Sequence, residues 1–427
     1  MTRPTPKRVA HLFMLLLCSA SMCFYWSRVP QNIDAIFPTV RPHPLTDLYP
    51  RWYGTRELLL HHRDPYGAAV TQEIQLAYDG REQRFAYPLY VVFLVAPTIE
   101  MQLHSAQLVF WCFLTAVTAL GLELWLSVVH VELSPLARIT LFAMVLFSIP
   151  ALQGLGLLQF GLLVAALLSG TAAAIFSGHL FLAGTLLALA TIKPPMSLLP
   201  ACWFLLWVSG DWRHRRSLLL GFAATLSILV LASEFLVPGW VFRYRGVLAA
   251  YAKYAAPTPL ASVFLPDPLL WPVAIAGLLA VALFCWRVRR QPATSPHFIF
   301  ALAFVSILTV IIIPTALPPY NHLLLLPAVL LILHHWTDLW SRGSLSRLVI
   351  PLLIGIAILP WLLAFIVTLR LLTSTQPWPL HVMFVPLYAS LGLPFAALGL
   401  LLLLVRTLPS TSPASGVPSP SPLGGTS

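Results

Sequence analysis

Residues 218–237 read LLLGFAATLSILVLASEFLV, twenty positions carrying one charge, Glu234. About 20 consecutive apolar residues are what an α-helix needs to cross the hydrocarbon core of a bilayer. Residues 269–286, LLWPVAIAGLLAVALFCW, carry no charge at all, and 398–405 read LGLLLLLV. Uninterrupted runs of this kind exclude a transmembrane barrel, whose strands would alternate apolar and polar residues. The expected fold class is all-α, a polytopic transmembrane helix bundle.

Composition agrees along the whole chain. Of 427 residues, 59% are hydrophobic and only 9% charged, which excludes a soluble enzyme. The formal net charge of +11 is divided among short clusters between apolar runs: Arg213, Arg215 and Arg216; Arg287, Arg289 and Arg290; Arg342 and Arg347. Such clusters are topology signals rather than a nucleic-acid surface, so no nucleic-acid partner is expected. The cysteines, Cys18, Cys23, Cys112, Cys202 and Cys285, lie in or beside apolar runs at spacings that suggest neither a disulfide framework nor a metal site. No cofactor is expected.

Working outward, Arg3, Lys7 and Arg8 precede an apolar run at 9–26 that ends in Phe24, Tyr25 and Trp26. Aromatics at that end suit a membrane interface better than a signal-peptide cleavage site, so an uncleaved first helix with a cytoplasmic N-terminus is expected. Further spans are expected at 105–129, 136–150, 155–176, 178–192, 196–208, 218–237, 269–286, 298–313, 320–334, 348–372 and 382–405, about twelve with the first. Alternate threading places the three Arg clusters and Arg406 in the cytoplasm, in accord with the positive-inside rule, and puts both termini there. Residues 1–408 then form one membrane-embedded domain. The 409–427 tail, of Pro, Ser, Thr and Gly, is expected to be disordered.

Two extracytoplasmic loops break the economy of such a bundle. The first, 28–104, is far longer than an ordinary connection and is therefore expected to carry function. Helical spacing within it predicts short interfacial helices at 52–62 and 65–78, the second with Val70, Ile74 and Ala77 on one face. Residues 85–97 are apolar but short, which fits an interfacial or re-entrant segment better than a crossing. The second loop, 238–268, holds Arg243, Arg245 and Lys253 on the side where cations are usually scarce.

Several residues could carry chemistry. Asp47 lies soon after the first span, and an ionised carboxylate there is placed to take a proton from a hydroxyl at the membrane surface, though the position also suits a helix N-cap. Asp34 is a second acid on the same loop. Asp64-Pro65-Tyr66 is a turn signature. Lys193 sits between two apolar runs, where it either serves a site or snorkels to headgroups. The forked donors of Arg243 and Arg245 suit a phosphate or lipid headgroups. Gln159, Asn321 and His322 are polar groups that need partners in lipid, and helix-to-helix hydrogen bonds would supply them.

Six motifs in order resemble glycosyltransferase family 87 of the glycosyltransferase C superfamily. They are Asp47-Leu48-Tyr49-Pro50-Arg51-Trp52, Asp64-Pro65-Tyr66, Phe85-Ala86-Tyr87-Pro88, Leu158-Gln159-Phe160, Ala183-Gly184 leading to Ile192-Lys193-Pro194, and Tyr320-Asn321-His322 ahead of Leu326-Pro327. Three positions depart from the family's usual pattern. Leu158 stands where Gly is common, Pro195 where Gln is common, and Asn321 where an Asp precedes the His.

The resemblance implies a bundle of glycosyltransferase C type and a metal-independent transfer of a hexose, mannose by family, from a polyprenyl-phosphate donor to a hydroxyl acceptor. Anomeric inversion would give an α-linkage, on a glycolipid or polysaccharide acceptor at the outer face of the cell membrane. Asp47 is the expected base, with Asp34 in reserve. Arg51, Tyr87, Gln159, Lys193, Arg243, Arg245 and His322 are the expected substrate-binding residues. A transporter or flippase is the alternative with a similar span count, and a non-catalytic assembly scaffold is a third reading.

Overall fold

The computed structural model describes residues 6–32, 45–255, 257–314, 319–340, 344–373 and 380–405. Arg3, Asp34, Arg342, Arg406 and the 409–427 tail lie outside the described residues. Among the described residues the elements are all helical.

The chain opens with α1 (Pro6–Asn32), and the long first loop holds α2 (Leu48–His61), α3 (Ala68–Ala77) and the five-residue α4 (Val91–Val95). Then come α5 (Leu103–Val129), α6 (Pro135–Leu146), α7 (Ile149–Gly156), α8 (Gly161–Phe176), α9 (Leu180–Ala190), α10 (Pro194–Gly210) and α11 (Trp212–Leu236). The second loop forms α12 (Trp240–Ala255) ahead of α13 (Asp267–Val288) and α14 (Pro296–Ile312). The last part comprises α15 (Leu326–His334), α16 (Trp336–Trp340), α17 (Ser344–Thr373), α18 (Leu380–Met383), α19 (Val385–Ser390) and α20 (Leu393–Val405).

Six helical stretches are long and apolar enough to cross a membrane: Ala10–Arg28, Leu103–Val129, Trp212–Leu236, Asp267–Val288, Leu348–Thr373 and Val385–Val405. The α6–α7 pair, bent by 52°, makes a seventh if counted as one span. Other expected spans appear as shorter apolar helices, α8, α9, α14 and the Pro319–His334 run. The cause is local. Ser148 and Pro150 start a new helix, with Ser148 Oγ accepting the Ala151 N–H. Lys193 and Pro194 end one helix and begin the next, and Pro319–Leu325 winds as a 3₁₀ helix. Within residues 85–97 the helix is confined to α4 and the start of the 3₁₀ turn Ala96–Thr98.

Helix α9 packs closely against α11. A Cβ on Gly184 would collide with the Leu218 carbonyl oxygen, and one on Gly221 with that of Phe181. Small residues permit this approach, which dispersion and the Thr225–Thr185 hydroxyl bond of 3.1 Å reinforce. At the far end of α11, Arg215 is buried, unlike its exposed neighbours Arg213 and Arg216. Its guanidinium donates to the carbonyls of Trp207 (2.8 Å), Arg289 (2.7 Å) and Gln291 (3.0 Å) and lies 3.9 Å from the Trp207 ring centroid. One member of a cluster read as a topology signal thus also ties three helix ends together.

The unwound links at 157–160, 191–193 and 319–325 meet near the first loop. Backbone released from α-helix is tolerated where protein buries it or where it lines a cavity. Here it lines one.

Candidate active site

A cavity of about 400 Å³ lies where these links, the start of α2 and the inner face of α12 converge; its lining includes Asp47, Arg51, Tyr87, Gln159, Lys193 and Tyr320. The pieces come from distant parts of the sequence, so only the tertiary fold brings their charges together.

Asp47 occupies the N-cap position of α2 but makes no side-chain cap bond. Its carboxylate instead accepts a hydrogen bond from the Gln159 Nε2. Its backbone N–H donates to the Leu157 carbonyl at 3.1 Å, so the link between α7 and α8 grips the residue twice. The Tyr78 hydroxyl secures the preceding residue by donating to the Thr46 carbonyl at 2.7 Å. Leu158, between the two gripping residues, adopts φ +52°, a left-handed conformation that costs a non-glycine residue on the order of 1 kcal/mol or more.

Gln159 is 4% exposed and fully engaged. While Nε2 faces Asp47, Oε1 accepts from Lys193 Nζ at 3.2 Å and from the Tyr87 hydroxyl at 3.4 Å. That orientation is the one an acceptor carboxylate and a donor ammonium require. Burial pushes the Tyr87 hydroxyl up to about 12, which keeps it a donor.

Lys193 precedes the first turn of α10. Its ammonium also approaches Asn321 Oδ1 at 3.5 Å and lies 4.2 Å from the Tyr320 ring centroid. Burial, aided by the charge of Arg51, pushes its pKa down to about 7 against the opposing pull of Asp47. Arg51, one helical turn after Asp47, stacks 4.3 Å from the Tyr87 ring centroid. Its Nε is buried with no hydrogen-bond partner among the described residues, donor capacity that an anion would satisfy. The cavity therefore places one carboxylate beside two cations, with a single carboxamide between Asp47 and Lys193.

Asp47, Arg51, Tyr87, Gln159 and Lys193 thus meet as one group, whereas three expected binding residues stand elsewhere. Arg243 pairs with Asp64, and neither it nor the exposed Arg245 lines the cavity. They flank Tyr244 on α12, and it is Tyr244, Leu248, Tyr251 and Ala255 that face inward. His322 is buried in the 3₁₀ segment but faces a separate apolar cavity bordered by Met22, Ile149, Leu326 and Trp361, and its Nδ1 has no partner there among the described residues. Asp64 keeps its turn role, its Oδ1 accepting the Tyr66 N–H at 2.9 Å.

Three more residues line the cavity: Gln153 and Tyr251, which the sequence reading did not single out, and Tyr320, which it quoted only as part of a motif. Gln153 lines the cavity and accepts the Tyr320 backbone N–H at 2.9 Å, and Tyr251 and Tyr320 supply aromatic walls. The signal for Tyr251 was available in the 244, 248, 251, 255 spacing, which is one face of a helix.

The arrangement sets one carboxylate and two basic side chains around a cavity in a bundle with membrane-length helices. The model of glycosyltransferase family 87 matches residues 85–315, more than half of the chain. No curated protein matches it. The matched region holds Tyr87, Gln159 and Lys193, and Asp47 and Arg51 reach them from outside it. With its apolar membrane-length helices and this match, the chain is a membrane glycosyltransferase belonging to glycosyltransferase family 87.

Proposed function

We propose that the protein moves a hexose, mannose, from a polyprenyl-phosphate donor to a hydroxyl of a glycolipid or polysaccharide, with inversion to an α-linkage. Asp47 removes the acceptor proton, a contribution of roughly 10²- to 10⁴-fold for a well-placed base. Lys193 and Arg51 stabilise the departing phosphate as positive charge develops on the sugar. Tyr87 and Gln159 hold these groups in register. Lys193 and Arg51 are proposed for the leaving-group site because they line the cavity, which Arg243 and Arg245 do not.

The observation that carries this reading is the Asp47–Gln159–Lys193 chain of hydrogen bonds at the cavity. It sets a proton acceptor and an anion-binding cation on either side of one amide. Hydrolytic or transport chemistry would not require that pairing beside an arginine with a spare donor.

Residues 1–408 act as one membrane-embedded unit of glycosyltransferase C type, crossing the cell membrane about twelve times with both termini cytoplasmic and the cavity extracytoplasmic. The threading supports this: the loop and helix ends that it places outside the cell are those that line the cavity, while Arg215, Arg289 and Arg290 gather at the opposite end. The flippase alternative would place ionisable groups near the membrane midplane in broken helices, whereas these lie at helix ends.

The test is sugar transfer from radiolabelled polyprenyl-phosphate mannose in membranes holding wild type or Asp47→Asn at matched expression. Transfer by the wild type, reduced at least 100-fold in the variant, is the expected result. Retained transfer in the variant removes Asp47 as the base; none from either protein removes this donor.

A further inference from the structure

Helix α12 is joined to two membrane-length helices. It follows the end of α11 and precedes the start of α13, so it lies at the membrane face where both of those ends emerge. It is the same face as the cavity, since α12 lines it and Arg243 reaches Asp64 of the first loop. The inner stripe is anchored by aromatic contacts: Trp240 with Tyr90 at 6.0 Å and Tyr244 with Tyr66 at 6.2 Å between ring centroids.

The outward stripe is different in kind. Phe242 and Lys253 fall opposite Tyr244 and Tyr251 by helical spacing and Arg245 lies on the flank between, and all three are exposed, Phe242 at 80%. The helix sequence, WVFRYRGVLAAYAKYA, contains three cations and no acid. Nearby, Phe235 at the end of α11 is 88% exposed, marking the level at which aromatic side chains meet the lipid interface. An aromatic among cations, without acidic neighbours on the helix and held at the membrane face, is complementary to negatively charged headgroups.

We infer that the outward face of α12, through Phe242, Arg245 and Lys253, docks on the anionic phospholipid headgroups of the leaflet adjoining the cavity. Phe242 enters the acyl boundary while the two cations pair with lipid phosphates. Docking holds Tyr244, Leu248 and Tyr251 over the cavity, and the helix start is fixed by Gly239, at φ +73°, whose N–H donates to Glu234 Oε1 at 2.6 Å. The docking itself needs only the membrane topology; its effect on turnover rests on the proposed catalytic role of the cavity.

The experiment compares backbone hydrogen exchange of residues 240–255 in the full-length protein in nanodiscs of phosphatidylcholine alone and with 30 mol% phosphatidylglycerol. For the wild type, exchange slows in the anionic discs by up to about 30-fold, two cations contributing roughly fivefold each, or about 1 kcal/mol. High salt removes the protection. Both Arg245→Gln/Lys253→Gln and Arg245→Glu/Lys253→Glu lose it, the milder variant guarding against misfolding.

Equal exchange in the two lipids overturns the inference, as does protection that survives both variants. Protection that appears only with a few mol% polyprenyl phosphate, or only with an anionic polysaccharide, overturns it in favour of that ligand. Transfer activity is read in parallel and does not decide the docking. If the donor assignment fails, the exchange result still stands.

Discussion

Asp47 accepts its hydrogen bond from Gln159, and the oxygen of the same carboxamide accepts from Lys193 at 3.2 Å. The amide therefore orders the two charges without neutralising either. Replacing it by Gln159→Leu leaves a buried ammonium and a carboxylate each short of one partner, at a cost of about 1–3 kcal/mol for such a group. The expected outcome is a 10- to 100-fold fall in transfer with a lower unfolding temperature. Gln159→Glu should lose more activity, because it faces Asp47 with a second carboxylate. Steady-state rates and thermal unfolding in detergent check both.

Lys193 gives the enzyme a specific pH dependence. Its pKa is pushed down to about 7, so the free enzyme loses the cation as pH rises through that value. The anion-binding site should be fully charged below pH 6 and largely neutral above pH 8. A donor phosphate favours the ammonium form, so the limb seen in kcat/KM should lie at lower pH than the matching limb in kcat. Lys193→Arg keeps its charge at all these pH values and should remove the limb. Rate profiles from pH 5.5 to 9 decide the matter, and an unchanged limb in the Arg variant would assign it to another group.

Leu158 offers a stability test with an unusual order. The residue is 4% exposed, so deleting its side chain costs packing energy of about 2–5 kcal/mol, more than the strain of its left-handed backbone. Both Leu158→Ala and Leu158→Gly should therefore destabilise. At φ +52°, however, glycine is relieved of strain and alanine is not, so Leu158→Gly should be the more stable of the two by about 1 kcal/mol, the reverse of their order in an ordinary helix. Unfolding midpoints of the two variants check it.

Gly184 and Gly221 set the distance between α9 and α11. An added methyl at either would strike backbone rather than a flexible side-chain tip, leaving only helix displacement as an escape. Gly184→Ala and Gly221→Ala should each cost at least about 2 kcal/mol, and Lys193 at the end of the α9 link should move with its helix. Expression, thermal unfolding and transfer rate should fall together. A variant with normal stability would show that the helices can part freely.

The membrane bundle was legible in the sequence because uncharged apolar runs of bilayer length suit little besides a helix in lipid. Asp47 and Tyr87 were visible as residues of the long first loop, Gln159 as a polar group within an apolar run and Lys193 as a charge between two of them. Helix continuity was harder to read. Composition does not distinguish one full crossing from two short helices meeting at Ser148–Pro150 or Lys193–Pro194, since the residues that break the helix are few and the flanking runs stay apolar. The cations of the second loop were legible as an exception, but their direction was not. Arg243 and Arg245 straddle the inward-facing Tyr244, and only the phase of α12 reveals that a residue one place away points elsewhere. The setting of His322 was hidden for a similar reason, since a 3₁₀ turn places Tyr320 at one cavity and His322 at another.

The cavity's dependence on Tyr320 also has a bearing on biosynthesis. Asp47 leaves the ribosome early, but its setting is unfinished until the chain has been made as far as residue 320 of 427 and the last wall has been inserted. A nascent or truncated chain can sit in the membrane and expose its acid without owning a working centre. On the proposed reading, catalytic competence reports completed insertion, and a product that stops short in synthesis lacks the wall that closes its centre.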